Sequence, residues 1–425
     1  MDSKFKTAKK AIAVATLLGL SISVANAKFI QTKVAVVGGS PTLSNELTPR
    51  IIAGDETTVP GAPVVAAGDF TGVVSVAINV DGGLFICTGS AISSTHIITA
   101  AHCVEDDSGT GQVIDITQAN FGVDVNVNDG GVISQTITAS AVEIHPDYSG
   151  FGVCGPSELG GFFGQCLNDD LAVITLDEEL PDGVTIYGFA DAADITGGTQ
   201  VEMVGHGLSG DGYSGISIGS SFETKRFAFN NMDMFDCDDE STFGVLDSSG
   251  ATVDKGNCSG FGNGAEVWYA DYDGYDSFAD DFDVAGIEDG FIDTFCTIAS
   301  DPPFTNIIAD ADVCDGGLGN DTAQAVFEGA IGGGDSGGPS FIYDAANDEY
   351  LLAGNNAFGT GGFGPFGIDG GFGEVFGGVL YAPYLDWINS FIGDDTTDPD
   401  PVSAPATLSV LSLGLALLLV RRRRV

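Results

Sequence analysis

Short apolar segments separated by glycine-containing turns are the feature that most limits how this 425-residue chain can fold. Residues 73–80 and 84–87 both have the composition of strands, and the Asp-Gly-Gly sequence at 81–83 between them is typical of a tight turn. Residues 171–176 form an apolar run with the character of a buried strand. Long helical periodicity is nearly absent before residues 384–392, which predict one C-terminal helix. The pattern favours an all-β sandwich or barrel.

The N-terminal segment predicts a secretory signal peptide over residues 1–27. Four lysines within the first ten residues precede an apolar stretch at 11–24 and the small-residue cleavage motif Ala-Asn-Ala at 25–27. A transmembrane anchor is the alternative, but the apolar stretch is short and ends in a cleavable motif. Residues 28–50 then have the character of a short propeptide.

The C-terminal segment predicts a second targeting device. An acidic linker and sorting motif at 393–405 precedes a hydrophobic segment and four consecutive arginines at 406–425. The layout resembles the PEP-CTERM sorting tails of Gram-negative bacteria, which implies an exosortase-like sorting enzyme and transient membrane contact through the tail. Residues 402–405 are Val-Ser-Ala-Pro instead of the usual Pro-Glu-Pro motif, which leaves the sorting enzyme open. An uncleaved tail anchor is the alternative, and its apolar run is short against the ~20 residues of a bilayer crossing.

Charge excludes some classes of partner. The chain has 60 acidic and 14 basic residues, a formal net charge of −46. Only Lys225, Arg226 and Lys255 are basic between residues 51 and 400. We therefore expect no binding to nucleic-acid phosphate or to anionic lipid. The hydrophobic content of 44% argues against a disordered chain.

Three short motifs carry the residue types of nucleophilic catalysis. They read Thr-Ala-Ala-His-Cys at 99–103, Asn-Asp-Asp-Leu-Ala at 168–172 and Gly-Asp-Ser-Gly-Gly-Pro at 334–339. Acyl transfer to a serine needs a base, a carboxylate that orients the base, and hydrogen-bond donors for the oxyanion. Together the motifs resemble the chymotrypsin/trypsin family of serine peptidases, over about residues 51–392.

The resemblance implies two six-stranded antiparallel β-barrels, at about 51–195 and 196–392, with a short C-terminal helix. It also implies that Ser336 is the nucleophile, His102 the general base and Asp170 the orienting carboxylate. The other three histidines, His96, His145 and His206, are expected to be structural. Asp169 competes with Asp170 because it follows Asn168 directly. Asp170 is favoured because adjacent side chains in an extended segment point in opposite directions.

The glycines and the aspartate beside the serine also have implied roles. The backbone N–H groups of Gly334 and Ser336 would form the oxyanion hole. In the resembling family, cleavage of the propeptide creates an N-terminus whose ammonium is buried against the aspartate before the nucleophile. Here that cleavage would fall between Arg50 and Ile51, and the partner would be Asp335. An uncut chain is expected to be poorly organised at the site, because a buried charge without a partner is costly.

The predicted substrate pocket is apolar. The position six residues before the nucleophile is Ala330, where a trypsin-like pocket would have an aspartate. The predicted pocket residues are Ala330, Ile331, Ala357, Phe358 and Gly359. We therefore expect a preference for an apolar residue before the scissile bond, which would leave cleavage after Arg50 to another protease. The family's pocket cysteine is missing at Gly332, which weakens the comparison.

The eight cysteines and an acidic loop complete the set of candidate sites. The resemblance implies a Cys87–Cys103 disulfide, although Thr88 replaces a glycine of the family motif. The other pairings that we favour, without excluding alternatives, are Cys154–Cys166, Cys237–Cys258 and Cys296–Cys314. Asp271, Asp273 and Asp276 offer oxygen ligands suited to structural calcium, with a solvated acidic loop as the alternative.

The sequence thus predicts a serine endopeptidase that requires no cofactor. Protein or peptide substrates, an activating protease and a sorting enzyme are its expected partners. Its expected location is exported: periplasmic, cell-surface or extracellular in a Gram-negative bacterium. Two alternatives remain, a non-catalytic surface-binding protein on the same fold and an esterase.

Overall fold

A computed structural model describes twelve stretches of the chain. They are residues 34–36, 51–53, 62–106, 111–153, 166–195, 198–212, 214–237, 265–272, 274–275, 291–292, 329–361 and 368–392. The predicted signal peptide, Arg50 and the C-terminal tail lie outside these residues. Among the residues described, none belongs to a helix long and apolar enough to cross a membrane.

The described chain is mainly β-strand, as predicted. The strands of the N-terminal half are β1 (Val34–Val36), β2 (Ile52–Ala53), β3 (Val73–Val80), β4 (Gly83–Ala91), β5 (His96–Thr99), β6 (Gly122–Asp129), β7 (Val132–Ile144) and β8 (Ala172–Leu176). Those of the C-terminal half are β9 (Thr199–Gly205), β10 (Ser209–Asp211), β11 (Gly215–Ile218), β12 (Arg226–Met232), β13 (Met234–Cys237), β14 (Ala265–Asp271), β15 (Gly274–Tyr275), β16 (Phe291–Ile292), β17 (Gly329–Ala330), β18 (Pro339–Asp344), β19 (Glu349–Asn355), β20 (Phe358–Gly359) and β21 (Val375–Val379). Two α-helices, α1 (Ala101–Val104) and α2 (Leu385–Ile392), and two 3-10 turns, Ala192–Asp194 and Ala382–Tyr384, are also described.

The β3–β4 hairpin shows how local sequence sets the register. Asp81 and Gly82 both have positive φ, 46° and 86°. Two positive φ angles in a two-residue loop match the right-handed twist of a hairpin. The turn aligns Val80 with Gly83 and, further along, Val76 with Cys87. The register therefore places Cys87 on the buried side of β4.

The N-terminal half is a closed barrel. Its sheet runs β4-β3-β6-β7-β8-β5, and β5 pairs back to β4. Apolar side chains from all six strands fill the interior; the fully buried ones include Val76, Ile78, Val125 and Ile174. β1 adds a seventh strand at the free part of the β4 edge, with Val34 opposite Ile86.

The C-terminal half contains two four-stranded sheets, ordered β12-β9-β18-β19 and β13-β14-β21-β20. An isolated antiparallel β-bridge between Gly354 and Leu380 connects the two sheets. These sheets are consistent with the predicted second barrel, whose closure stays a prediction. The predicted terminal helix is confirmed as α2, and its Ile388 is fully buried.

An apolar cluster joins the two halves. Val73, Ile98 and Val173 come from the first barrel, and Phe341 and Tyr381 come from the second half. All five side chains are fully buried. Ile98, Val173 and Phe341 lie in β5, β8 and β18, the strands next to the three sequence motifs, so the motifs come together near this junction.

Candidate active site

His102 lies in α1, one short turn after β5. The predicted Cys87–Cys103 disulfide is confirmed, and it ties α1 to β4. The Sγ atom of Cys103 also lies 3.7 Å from the carbonyl oxygen of Ser336. The histidine segment is therefore attached to the first barrel and lies against the serine segment.

Two contacts fix His102 against Asp170. The His102 Nδ1 atom lies 2.6 Å from Asp170 Oδ2, and the His102 backbone N–H donates to Oδ1 at 2.8 Å. Both side chains are buried. Asn355 from β19 donates its Nδ2–H to the Asp170 carbonyl at 2.9 Å, so the second half of the molecule helps to hold this carboxylate. Because Nδ1 faces Asp170, Nε2 is the ring nitrogen that points away from the carboxylate, and Cys103 Sγ lies 4.0 Å from it.

Asp169 points elsewhere. Its φ of 60° is in the left-handed region, which turns the backbone between the two aspartates. Its Oδ1 lies 3.0 Å from His145 Nδ1, and its backbone N–H donates to the Tyr384 hydroxyl at 3.1 Å. The geometry therefore assigns the His102 contact to Asp170, the residue favoured over Asp169 by the sequence.

Ser336 occupies the turn before β18. Its carbonyl accepts the Thr88 N–H at 2.9 Å, and its side chain is 1% exposed. Within the described part of the chain its Oγ makes no hydrogen bond. Catalytic hydrogen bonds are often long without substrate, and a bound substrate tightens them. An unengaged hydroxyl in this position is compatible with a nucleophile.

The backbone before Ser336 carries the predicted oxyanion-hole donors. Gly334 has a φ of 97°, and a Cβ there would lie 2.9 Å from Gly207 Cα. The N–H of the neighbouring Asp335 donates to the Gly332 carbonyl oxygen at 2.8 Å. Among described residues, the N–H groups of Gly334 and Ser336 donate to no backbone carbonyl. The oxyanion-hole role of these two N–H groups stays a prediction.

Thr88, which replaces a family glycine, connects the first barrel to this segment. Its hydroxyl donates to the Gly334 carbonyl at 2.7 Å and accepts the His206 N–H at 3.0 Å. His206 in turn contacts Asn128 of β6, with 3.1 Å between the two side-chain nitrogens. Burial, reinforced by Lys225, lowers the pKa of His206 to about 3. The sequence did not predict this series of contacts. The only sign of it in the sequence was the threonine at position 88, where the family has a glycine.

Asp335 is enclosed by backbone. Its Oδ1 accepts the Gly207 N–H at 2.7 Å and its Oδ2 accepts the Gly332 N–H at 3.0 Å. A Cβ at Gly205 would lie 2.0 Å from Oδ1, so only glycine fits there. Ile51 is buried, and Ile52 pairs with Ala330. The predicted ion pair between an Ile51 ammonium and Asp335 stays a prediction.

The predicted pocket residues pack into two different apolar clusters of the second half. Ala330 and Ile331 pack in one buried cluster with Phe376. Ala357 and Phe358 pack in another, with Tyr269 and Val375. Gly359 faces a residue that sequence reasoning missed: a Cβ there would lie 2.8 Å from the Oε1 atom of Glu374. No local motif marks Glu374, because only the register of β20 with β21 brings it to Gly359.

The remaining predicted sites are described in part. Cys166 is disulfide-bonded, and its partner lies outside the described residues, as do Cys154, Cys258, Cys296, Cys314 and the Cys237 side chain. Asp271 is buried at the end of β14, whereas Asp273 and Asp276 lie outside. Among described residues, the ligand atoms of His145, Asp147 and Asp169 lie within 4.8 Å of one another, a spacing compatible with a metal ion.

Comparison with known proteins agrees with this geometry. Residues 61–221 match the family model described as Trypsin. The fold is therefore that of trypsin, with the match covering His102 and Asp170 and ending before Ser336.

Three curated relatives are similar to parts of the chain. Brachyurin of Leptuca pugilator is 27% identical over 221 residues, which cover 51% of this chain and 84% of brachyurin. Serine protease Hayan of Drosophila melanogaster is 34% identical over 114 residues, 27% of this chain and 15% of Hayan. Venom serine protease Bi-VSP of Bombus ignitus is 30% identical over 146 residues, 34% of either protein. The chain thus spans about a third or less of the length of the last two. These matches support a trypsin-like serine peptidase.

Proposed function

We propose that this protein is a serine endopeptidase that hydrolyses peptide bonds through an acyl-enzyme on Ser336. The contact of 2.6 Å between His102 Nδ1 and Asp170 Oδ2, beside a buried serine, carries this proposal. His102 Nε2 would take the Ser336 proton as Oγ attacks the substrate carbonyl, and would then return a proton to the leaving amine. The N–H groups of Gly334 and Ser336 would stabilise the oxyanion.

The proposal extends to how the enzyme is made. The chain would be exported and activated by cleavage between Arg50 and Ile51, with Asp335 as the partner of the new N-terminus. The buried position of Ile51 and the pairing of Ile52 with Ala330 support a functional link between this segment and the substrate site. The burial of Ala330 and Ile331 in an apolar cluster supports a preference for apolar residues before the scissile bond.

Labelling with a fluorophosphonate tests the nucleophile directly. We expect one adduct on Ser336, found by peptide mass spectrometry after cleavage at Arg50, and no adduct in the Ser336→Ala variant. N-terminal sequencing of the labelled form should begin at Ile51. A cleaved, folded chain that takes up no label would instead favour a non-catalytic binding protein.

Measurements on paired substrates then separate a peptidase from an esterase. Matched amide and ester substrates with phenylalanine before the scissile bond should both be hydrolysed. Hydrolysis of the ester alone, at any enzyme concentration, would contradict the peptidase proposal.

A further inference from the structure

Glu266 is a buried carboxylate of the second half that the proposed catalytic steps do not use. It belongs to β14, and its backbone carbonyl accepts the Leu380 N–H at 2.7 Å. Its Oε2 accepts an Nδ2–H of Asn168 at 2.7 Å, across 98 positions of sequence. Asn168 begins the short segment 168–170, here called the aspartate loop, which ends at Asp170. Burial of a carboxylate is costly, so the contacts that Glu266 makes with this loop require an explanation.

Tyr384 forms a second link between Glu266 and the aspartate loop. Its buried hydroxyl accepts the Asp169 N–H at 3.1 Å and is hydrogen-bonded to the Glu266 carboxylate. Burial, together with the charges of Glu266 and Asp169, raises the pKa of Tyr384 well above its usual value, so the hydroxyl keeps its proton. A hydroxyl has one donor and two acceptor positions, whereas a carboxylate only accepts. The Tyr384 O–H therefore donates to Glu266.

Three side chains of the second half thus contact three consecutive residues of the aspartate loop. The pairs are Glu266 with Asn168, Tyr384 with Asp169, and Asn355 with Asp170. The middle residue needs such support, because Asp169 has a φ of 60°, a conformation that persists only where its surroundings fix it. The next residue is Asp170, whose Oδ2 lies 2.6 Å from His102 Nδ1. A change in the turn at Asp169 would therefore move the carboxylate that contacts His102.

A carboxylate suits the position of Glu266 better than a neutral side chain of the same shape. Two donors, the Asn168 amide and the Tyr384 hydroxyl, reach this one side chain. A carboxylate accepts from both, whereas the amide of a glutamine would turn a donor of its own towards one of them. Hydrogen bonds to a charged acceptor are also the stronger class. The buried charge is therefore matched to holding the loop.

We propose that Glu266 is a positioning residue for catalysis, which holds the aspartate loop in the turn that presents Asp170 to His102. This inference rests on the proposed peptidase function. Glu266 does not touch the substrate and acts through the two side chains that it contacts. The second half of the molecule then supplies the nucleophile and also the anchor for the carboxylate of the first barrel.

Exchange of the charged and neutral partners tests this role by kinetics. The substrate is a peptide with phenylalanine before the scissile bond. We expect Glu266→Gln to lower kcat about tenfold with KM unchanged, because a displaced catalytic group slows the chemical step. Asn168→Asp sets one carboxylate against another and should lower kcat at least as much. The double variant should recover most of the loss, because its new amide donates to its new carboxylate and still accepts the Tyr384 hydroxyl.

Glu202→Gln is the matched control for these variants. Glu202 is another buried glutamate of the second half, it lies in β9, and its substitution should leave kcat unchanged. Urea titration checks that each variant is folded. Folded single variants with unchanged kcat would overturn the inference, and so would a loss that appears only in KM. A folded double variant that is no more active than the single variants would also overturn it.

The proton between His102 and Asp170 gives a readout that needs no turnover. In the Ser336→Ala background, the NMR chemical shift of the His102 Nδ1 proton reports its hydrogen bond to the carboxylate. We expect Glu266→Gln to move this resonance upfield. Tyr384→Phe, which keeps the aromatic ring, should do the same, and the control variant should leave the resonance in place. A merely structural role would lower the free energy of unfolding without moving the resonance, and that result would overturn the inference.

The positioning role and the peptidase proposal fail in different ways. If the wild type hydrolyses the peptide and takes up fluorophosphonate, but neither kcat nor the resonance responds to Glu266→Gln, the positioning role is refuted and the peptidase proposal stands. If the wild type neither hydrolyses the peptide nor takes up the label, the peptidase proposal is refuted together with the catalytic role of Glu266, even where the resonance moves.

Discussion

The two halves of the molecule hold their buried carboxylates in different surroundings. In the first barrel, Asp170 receives the His102 ring and a backbone N–H, and Glu105 accepts the Tyr148 hydroxyl at 3.1 Å. In the second half, burial raises the pKa of Glu202 to about 7 and that of Glu374 to about 8, each with a nearby acidic residue adding to the effect. A carboxylate beside a histidine suits a fixed role in proton transfer. A carboxylate whose pKa is raised by burial instead costs stability as the pH rises through that pKa.

The largest test of this comparison is at the two adjacent aspartates. Asp170→Asn should lower kcat/KM about 10⁴-fold, because an amide cannot hold His102 in the required tautomer. Asp169→Asn is the matched control, since asparagine also tolerates positive φ, and it should cost less than about tenfold. The kcat/KM of each variant is measured with the same peptide, which has phenylalanine before the scissile bond. Equal losses in the two variants would show that the carboxylate of Asp169 also serves catalysis.

Removal of the Cys87–Cys103 disulfide tests how much this covalent link contributes to the stability of the first barrel. Replacement of Cys87 and Cys103 together by alanine removes a bond that spans a sequence separation of 16 residues. The free energy of unfolding should fall by about 3 kcal/mol, because the unfolded chain gains conformational freedom. Urea titration under oxidising conditions measures this loss. A fall below about 1 kcal/mol would mean that the barrel contacts alone fix α1.

Glu202 tests the second half, away from the candidate site. Its folded pKa of about 7 lies above the ordinary value of 4.5, so the folded protein favours the protonated form. Its stabilising effect is complete below pH 4.5 and is lost as the pH rises through 7. The free energy of unfolding of Glu202→Gln, relative to that of the wild type, should therefore be higher at pH 8 than at pH 4 by about 3 kcal/mol. Urea titrations at the two pH values measure this, and a pH-independent difference would contradict it.

Thr88 tests the connection between the halves. Thr88→Val leaves the Gly334 carbonyl and the His206 N–H without their hydroxyl partner. We expect kcat to fall about tenfold with little change in KM, because a lost buried hydrogen bond costs ~1–3 kcal/mol and here loosens the oxyanion segment. Ser75→Ala removes another fully buried hydroxyl, which donates to Phe222, and serves as the control. An unchanged kcat in Thr88→Val would limit Thr88 to a structural role.

The parts of the site that could be predicted from sequence are those written in contiguous motifs. The environments of His102 and Ser336 depend on their immediate neighbours, so the motifs at 99–103 and 334–339 contain enough information. Glu374 is different, because only the pairing of β20 with β21 brings it beside Gly359, and no motif records the length of the segment between the two strands. Thr88 is intermediate: its departure from the family glycine was visible, but its two partners come from 118 and 246 residues further along the chain.

The hydrogen bond between the Asp169 backbone and Tyr384 has a consequence for the order of events during synthesis. Tyr384 and Trp387 place their rings 5.0 Å from that of His145, and the Asp169 N–H donates to the Tyr384 hydroxyl. The first barrel can close its hydrogen-bonded sheet with residues made early. The backbone beside Asp170, however, is held by Tyr384, which is made more than 200 positions later. A nascent chain that contains only the first barrel therefore lacks both Ser336 and the tyrosine that holds the Asp169 backbone.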